Sequence, residues 1–168
     1  RAAGRMLFQF EAFTFLPIVH ETRNGPTLAE MQAAYAGQPW LEEHFTMGAH
    51  QGYQVWTVPA DGRYRVVAEG AQGGGGGMGG IANQYGAAGA KVEGTFEFSK
   101  GQQLTIVVGV CGGSSGPTNG GNYSGGGGGS FVVSAEGEPL LVAGGGGAAC
   151  GTSHGNNLPA TDNGAGRK

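Results

Sequence analysis

The chain has 168 residues, of which 38 are Gly, with 39% hydrophobic and only 12% charged residues and a formal net charge of −3. This length suits one domain with a small appendage, and the apolar content is enough for a core, while the charge is well below the roughly 25% usual in soluble domains. With no Lys/Arg cluster a nucleic-acid partner is not expected, and no apolar run approaches the roughly 20 residues of a helical membrane span.

Residues 7–15 read Leu-Phe-Gln-Phe-Glu-Ala-Phe-Thr-Phe. The alternation of Phe8, Phe10, Phe13 and Phe15 predicts an opening strand with a register break near Ala12. Asn24-Gly25-Pro26 is a turn. Thr27 with Glu30 three residues later forms a capping-box pattern, and Leu28, Met31 and Tyr35 fall at helical spacing. A short amphipathic helix over 27–35 follows, ended by Gly37 and Pro39. Residues 53–58 and 63–69 predict a hairpin across Pro59-Ala60-Asp61-Gly62, with Tyr64, Val66 and Ala68 on one face of the second strand.

The cleanest alternation lies in 90–99. Val92, Gly94, Phe96 and Phe98 face one way, and Lys91, Glu93, Thr95, Glu97 and Ser99 the other, as in a half-exposed antiparallel strand. Lys100-Gly101 is expected to turn it into a partner over 104–110, with Leu104, Ile106, Val108 and Val110 facing the core. Residues 130–135 and 139–143 make a third hairpin across Glu136-Gly137-Glu138. The recurring unit is strand, tight turn, strand, glycine tract. This predicts an all-β fold, an antiparallel β-sandwich of jelly-roll type, occupying 1–150. Residues 151–168, rich in Gly, Asn, Thr and Ala, form a tail or linker.

The glycine tracts 73–80, 112–129 and 144–147 sit after strands, so they are expected to belong to the fold. Backbones without Cβ approach closely, and polyproline-II rods point their N–H and C=O groups outward. Rods side by side can bond to one another; isolated tracts would stay floppy loops, because ordering each residue costs on the order of 1–2 kcal/mol. The strict Gly-X-Y period of collagen is absent. Gly74, Gly76 and Gly79 fit a dinucleotide fingerprint, yet no amphipathic helix follows and no GK[ST] occurs, so a phosphate loop is not expected.

Few residues suggest other chemistry. Cys111 and Cys150 each follow a strand beside a glycine tract, either as a disulfide between tracts or as two free thiols. Asn122-Tyr123-Ser124 is an N-glycosylation sequon. Both features fit an oxidising, extracellular setting. Cys150 and His154 resemble half of a zinc site, and Cys111 adds a third ligand without a fourth, so no metal is expected. Glu42, Glu43 and His44 read as a solvated edge, and no catalytic nucleophile motif is present. No catalytic residue and no cofactor are expected. Trp56 reads as core. Trp40, Tyr85 and Tyr123 are the candidate contact residues.

The runs Trp56-Thr57-Val58-Pro59, Gly62-Arg63-Tyr64, Gly70-Ala71-Gln72-Gly73-Gly74 and Pro139-Leu140-Leu141-Val142-Ala143-Gly144-Gly145-Gly146-Gly147 resemble the glycine-rich domain of the anaplastic lymphoma kinase and leukocyte tyrosine kinase receptor ectodomains. The resemblance covers roughly 13–150. It implies a TNF-like β-sandwich carrying inserted polyproline-II glycine helices packed as a bundle outside the cell, here with one short α-helix. It does not imply a receptor's kinase activity. Two uses follow for a noncatalytic extracellular module. One is packing of the glycine bundle in a surface layer, matrix, filament or larger extracellular protein, through self-association or a protein partner. The other is recognition of a protein or glycan ligand, as by a receptor or adhesin.

Overall fold

The computed structural model describes residues 12–19, 25–75, 85–113 and 124–149. Helix α1 (Leu28–Ala34) begins where the capping box predicts. The Thr27 hydroxyl accepts the Glu30 N–H at 3.3 Å, and the Glu30 carboxylate accepts the Thr27 N–H at 2.7 Å, satisfying two otherwise orphaned donors. Met31 and Tyr35 are buried on its inner side, and Gly37, at φ +85°, closes the helix end. A single turn α2 (Leu41–His44) and a short strand β1 (Phe45–Met47) follow. Neither stands out in the sequence, since both are too short for a periodic signal.

The remaining strands are β2 (Gln54–Thr57), β3 (Gly62–Glu69), β4 (Lys91–Phe98), β5 (Gln103–Val107), β6 (Ser130–Ser134) and β7 (Pro139–Ala143). They form an all-β, antiparallel sandwich-type arrangement: a five-stranded sheet in the order β1-β2-β5-β6-β7 and a two-stranded sheet β3-β4. The inward faces of β3 and β4 are those the alternation predicts. β5 ends at Val107, so Val108 and Val110 lie beyond it, and Val110 is exposed. The expected opening strand is not formed over 12–15; its earlier residues lie outside the described chain.

Two of the three expected hairpins are overturned. β2 pairs with β1 and β5, and β3 pairs with β4 in the other sheet. The reason is that Gln54, Val55 and Trp56 are all buried, which makes β2 a central strand with both edges already paired. The turns at 59–61 and 99–101 are therefore corners between sheets, and they brace each other. Val58 N–H donates to the Gln102 carbonyl at 2.8 Å, Gly101 N–H donates to the Val58 carbonyl at 2.7 Å, and Lys100 N–H donates to the Asp61 carboxylate at 2.7 Å. The third pair, β6 and β7, are neighbours as predicted. Its turn has Gly137 at φ +86° and the Ser134 hydroxyl accepting the Glu136 and Glu138 N–H groups.

The chain divides into two compact units. The first comprises Arg1–Val66, Gly94–Val107 and Val132–Leu140; the second comprises Val67–Glu93, Val108–Phe131 and Leu141–Lys168. The first unit has a side-chain core of aromatic rings in edge-to-face contact, the geometry their quadrupoles favour. Phe13 lies 4.6 Å from Trp40 and 5.5 Å from Tyr35, Phe15 packs on Tyr35, Trp40 and Trp56, and Trp56 of β2 meets Tyr64 of β3 across the sheets at 5.8 Å. Trp56 is buried, as expected for a core residue.

A buried polar triangle closes this core. Tyr35 is 4% and Gln54 2% exposed. The Tyr35 hydroxyl donates to the Gln54 side-chain oxygen at 2.6 Å and accepts the Leu16 N–H at 2.7 Å, while the Gln54 amide donates to the Leu16 carbonyl at 3.1 Å. Burial pushes the Tyr35 phenol above its usual pKa, partly countered by the bonds to Leu16 and Gln54.

Candidate functional site

The second unit contains five described glycine-rich segments, 70–75, 85–90, 108–113, 124–129 and 144–149, none of which carries a charged side chain. Each directly follows or precedes a strand in the chain. Segment 70–75 is bonded to the other four. Gly70 and Gly73 donate to the carbonyls of Ala90 and Ala87, at 2.9 and 3.0 Å. Ala71 and Gly74 donate to Gly128 and Gly125, at 2.9 and 2.7 Å. Gly146 and Ala149 donate to Ala71 and Gly74, at 2.8 and 3.0 Å, and Gly112 donates to Gln72 at 2.9 Å.

The outer segments bond to one another as well. Ala87 and Ala90 donate to Gly147 and Gly144, at 2.9 and 2.8 Å, and Gly125 and Gly128 donate to Gly113 and Val110, at 3.0 and 2.9 Å. In each of these pairs the bond recurs at every third residue. A β-ladder has a period of two, and an α-helix bonds within itself; this network does neither.

Glycine is required here for space. A Cβ on Gly70, Gly73, Gly86, Gly89, Gly112 or Gly146 would fall within 3.0 Å of a backbone carbonyl oxygen of another segment, a separation real side chains essentially never show. None of these glycines is in the left-handed region, so backbone freedom is not the reason for them. The i, i+3 spacing of Gly70 with Gly73, and of Gly86 with Gly89, is the sequence signal of this packing. Gly113, Gly144 and Gly147 differ: they are exposed, and among the described residues a Cβ there would meet nothing within 4 Å.

Among the described residues, side chains pin the network at three points. The Gln72 side-chain amide donates to the Gly86 carbonyl at 3.0 Å. The buried Ser130 hydroxyl donates to the Glu69 carbonyl at 2.6 Å and accepts the Gly109 N–H at 3.0 Å. The Ser124 hydroxyl donates to the Ala149 carbonyl. Nothing in the sequence singles out Ser130, which looks like any first residue of a strand.

Of the expected contact residues, Trp40 is corrected. It is 2% exposed, because the turn after α1 points its ring onto Phe13 and Phe45 in the core of the first unit. Tyr85, at the start of segment 85–90, is 77% exposed. Cys111 is exposed on segment 108–113. Asn122, Tyr123 and Cys150 lie outside the described residues. Among the described residues no group of three His, Cys, Asp or Glu side chains is placed to hold a metal, and no helix is long and apolar enough to cross a membrane.

No family model matches the chain. A 95-residue stretch, 56% of the chain, is 31% identical to the leukocyte tyrosine kinase receptor of Mus musculus, and covers 10% of that receptor's length.

Proposed function

We infer that this chain is a noncatalytic extracellular module whose glycine segments act as a bundle of polyproline-II rods, packing against neighbours in a surface layer, matrix, filament or larger extracellular protein. The three-residue bonding period is what rods with three residues per turn would produce. The observation that carries the assembly role is the pair of glycine classes. Gly113, Gly144 and Gly147 stay glycine although, among the described residues, a side chain there would meet nothing within 4 Å, and glycine carries an entropic penalty of roughly 0.5–1 kcal/mol relative to Ala. A face that keeps it suits close approach by another backbone. The absence of charge on the segments removes the repulsion that would oppose such packing.

The test separates folding from assembly. The triple variant Gly113→Ala, Gly144→Ala and Gly147→Ala is expected to fold at least as stably as the parent and to assemble less, read by analytical ultracentrifugation and negative-stain microscopy over a concentration series. Parent protein that remains monomeric at every concentration, or variant assemblies identical to the parent's, would falsify the assembly role.

A second reading, a ligand-binding domain recognising a protein or glycan, is favoured by the similarity to a receptor and by the exposed ring of Tyr85. Tyr123 in the next glycine tract would join it. A glycan array and a surface-protein screen test this reading, with Tyr85→Ala as the control. Two further points stay open to test: whether Cys111, a free thiol among the described residues, pairs with Cys150 as a disulfide or stays free, and whether Asn122 carries a glycan. Intact-mass and peptide mass spectrometry of protein from a secreting host reads both.

A further inference from the structure

We propose that strand β7 is a self-pairing edge, through which two copies of this chain join antiparallel into one sheet that continues across a two-fold axis. β7 (Pro139–Ala143) ends the five-stranded sheet, and among the described residues it has a neighbouring strand on one side only, β6. The Ala143 carbonyl faces that neighbour: it lies 3.2 Å from where a Cβ on Gly129, the residue before β6, would stand. Backbone groups alternate sides along a strand, so the N–H and C=O groups of Leu140 and Val142 face the open edge. The N–H of Gly144 comes next on that side. Gly144 is exposed, and its N–H donates to no backbone carbonyl among the described residues. The Val142 side chain is 49% exposed. A strand added to such an edge gains a ladder of backbone bonds and contacts to alternate side chains.

Charge and sequence select a second copy as the added strand. A two-fold axis sets an edge against itself, so any charge on it would meet its own kind. Residues 139–149 carry no charged side chain. Edges are usually guarded by lysine, proline, a bulge or short length. The opposite edge, β1, is only three residues long and follows Glu42 and Glu43. β7 has no such guard, because its proline is the first residue, on the side that faces β6. Full overlap of the strand centres the axis on Leu141 and sets Leu140 opposite Val142 of the partner copy. Both such pairs exchange N–H···O bonds in each direction, and each covers an exposed valine with a leucine. The same register brings the exposed Glu138 carboxylate beside the Gly144 N–H of the partner copy, a charge-assisted bond. The two Glu138 side chains stay about 20 Å apart, where salt screens their repulsion. The contact is made by strand edges, so it does not depend on the packing of glycine segments proposed above.

The test uses the full chain. Sedimentation equilibrium over a concentration series is expected to show monomer and dimer without larger species, since a two-fold contact closes on itself. Amide exchange is expected to slow at Leu140 and Val142 as concentration rises and dimer forms, while Leu141 and Ala143, which face β6, exchange alike throughout. Val142→Lys and Leu140→Glu are each expected to weaken the dimer about tenfold or more. Mixing the two variants is expected to recover association as a heterodimer, because the lysine of one copy then stands opposite the glutamate of the other. Gly147→Ala lies beyond the paired strand and is expected to leave this dimer unchanged, which separates it from assembly through the glycine face. Parent chain that stays monomeric throughout, exchange at Leu140 and Val142 that ignores concentration, or variants that associate no better mixed than alone overturn the proposal. The exchange measurement needs no substitution, so it decides the matter should a variant fail to fold.

Discussion

The two units are packed by opposite means. In the first, rings fill the interior, so the limit on packing is how well large side chains interlock. In the second, the described glycine segments meet backbone to backbone, with carbonyl oxygens occupying the places where Cβ atoms would stand. The lesson is that residue size reverses its meaning between them. Removing atoms should damage the first unit, and adding a single methyl should damage the second.

The sharpest check sets Trp40→Ala beside Gly146→Ala. Trp40→Ala empties the centre of the ring cluster and is expected to destabilise by about 3–5 kcal/mol. Gly146→Ala drives one methyl into the Ala87 carbonyl and is expected to cost about 3 kcal/mol, at or above the usual range for overpacking because backbone must move. Both are read by urea denaturation. A Gly146→Ala protein as stable as the parent would break the comparison. Ser130→Ala comes next. It leaves the Gly109 N–H and the Glu69 carbonyl without their partner, for a loss of about 1–3 kcal/mol, and faster amide exchange at Gly109 should accompany it.

The pH response sharpens the contrast from the other side. The Tyr35 phenol is raised above 10.0 in the folded chain by burial. Its contribution is therefore fully present below that pH and is lost as pH rises through the folded value, because the unfolded chain releases its proton first. Stability is expected to fall between pH 9 and pH 12 (roughly the range around an ordinary tyrosine pKa), with phenolate absorbance rising as unfolding proceeds. Tyr35→Phe should be less stable than the parent at neutral pH by about 1–3 kcal/mol, since Gln54 loses its partner, and should lose less on going alkaline. The smallest effect has the opposite sign. Gly144→Ala, whose methyl would meet none of the described residues within 4 Å, is expected to stabilise the chain by about 0.4–1 kcal/mol by narrowing the unfolded ensemble. That gain beside the loss at Gly146 would show two glycines of one run serving different ends.

Much of the local structure was legible without the fold. The Thr27–Glu30 capping box places α1, because its bonds are made within four residues. The two-residue alternation of β3 and β4 places their inner faces, and the Pro139–Ala143 strand has the bounds its apolar run suggests. Of the expected glycine tracts, 76–80 and 114–123 lie outside the described residues; the described parts were legible as belonging to the fold, but their inner and outer positions were not.

What the sequence determined by itself is therefore short-range: where helices cap, which face of a strand turns inward, and that glycine alternates with strands. Tertiary structure decided the rest. A Pro-Ala-Asp-Gly turn serves a hairpin or a corner between sheets equally well, and β2 chose the corner because its two edges were already paired. Trp40 follows a Pro in an exposed turn, and it is buried by rings that arrive from elsewhere in the chain, those of Phe13, Phe15 and Phe45. Gly144 and Gly146 are the same residue two positions apart. The carbonyl of Ala87, distant in sequence, makes Gly146 indispensable, while among the described residues a methyl on Gly144 would meet nothing within 4 Å.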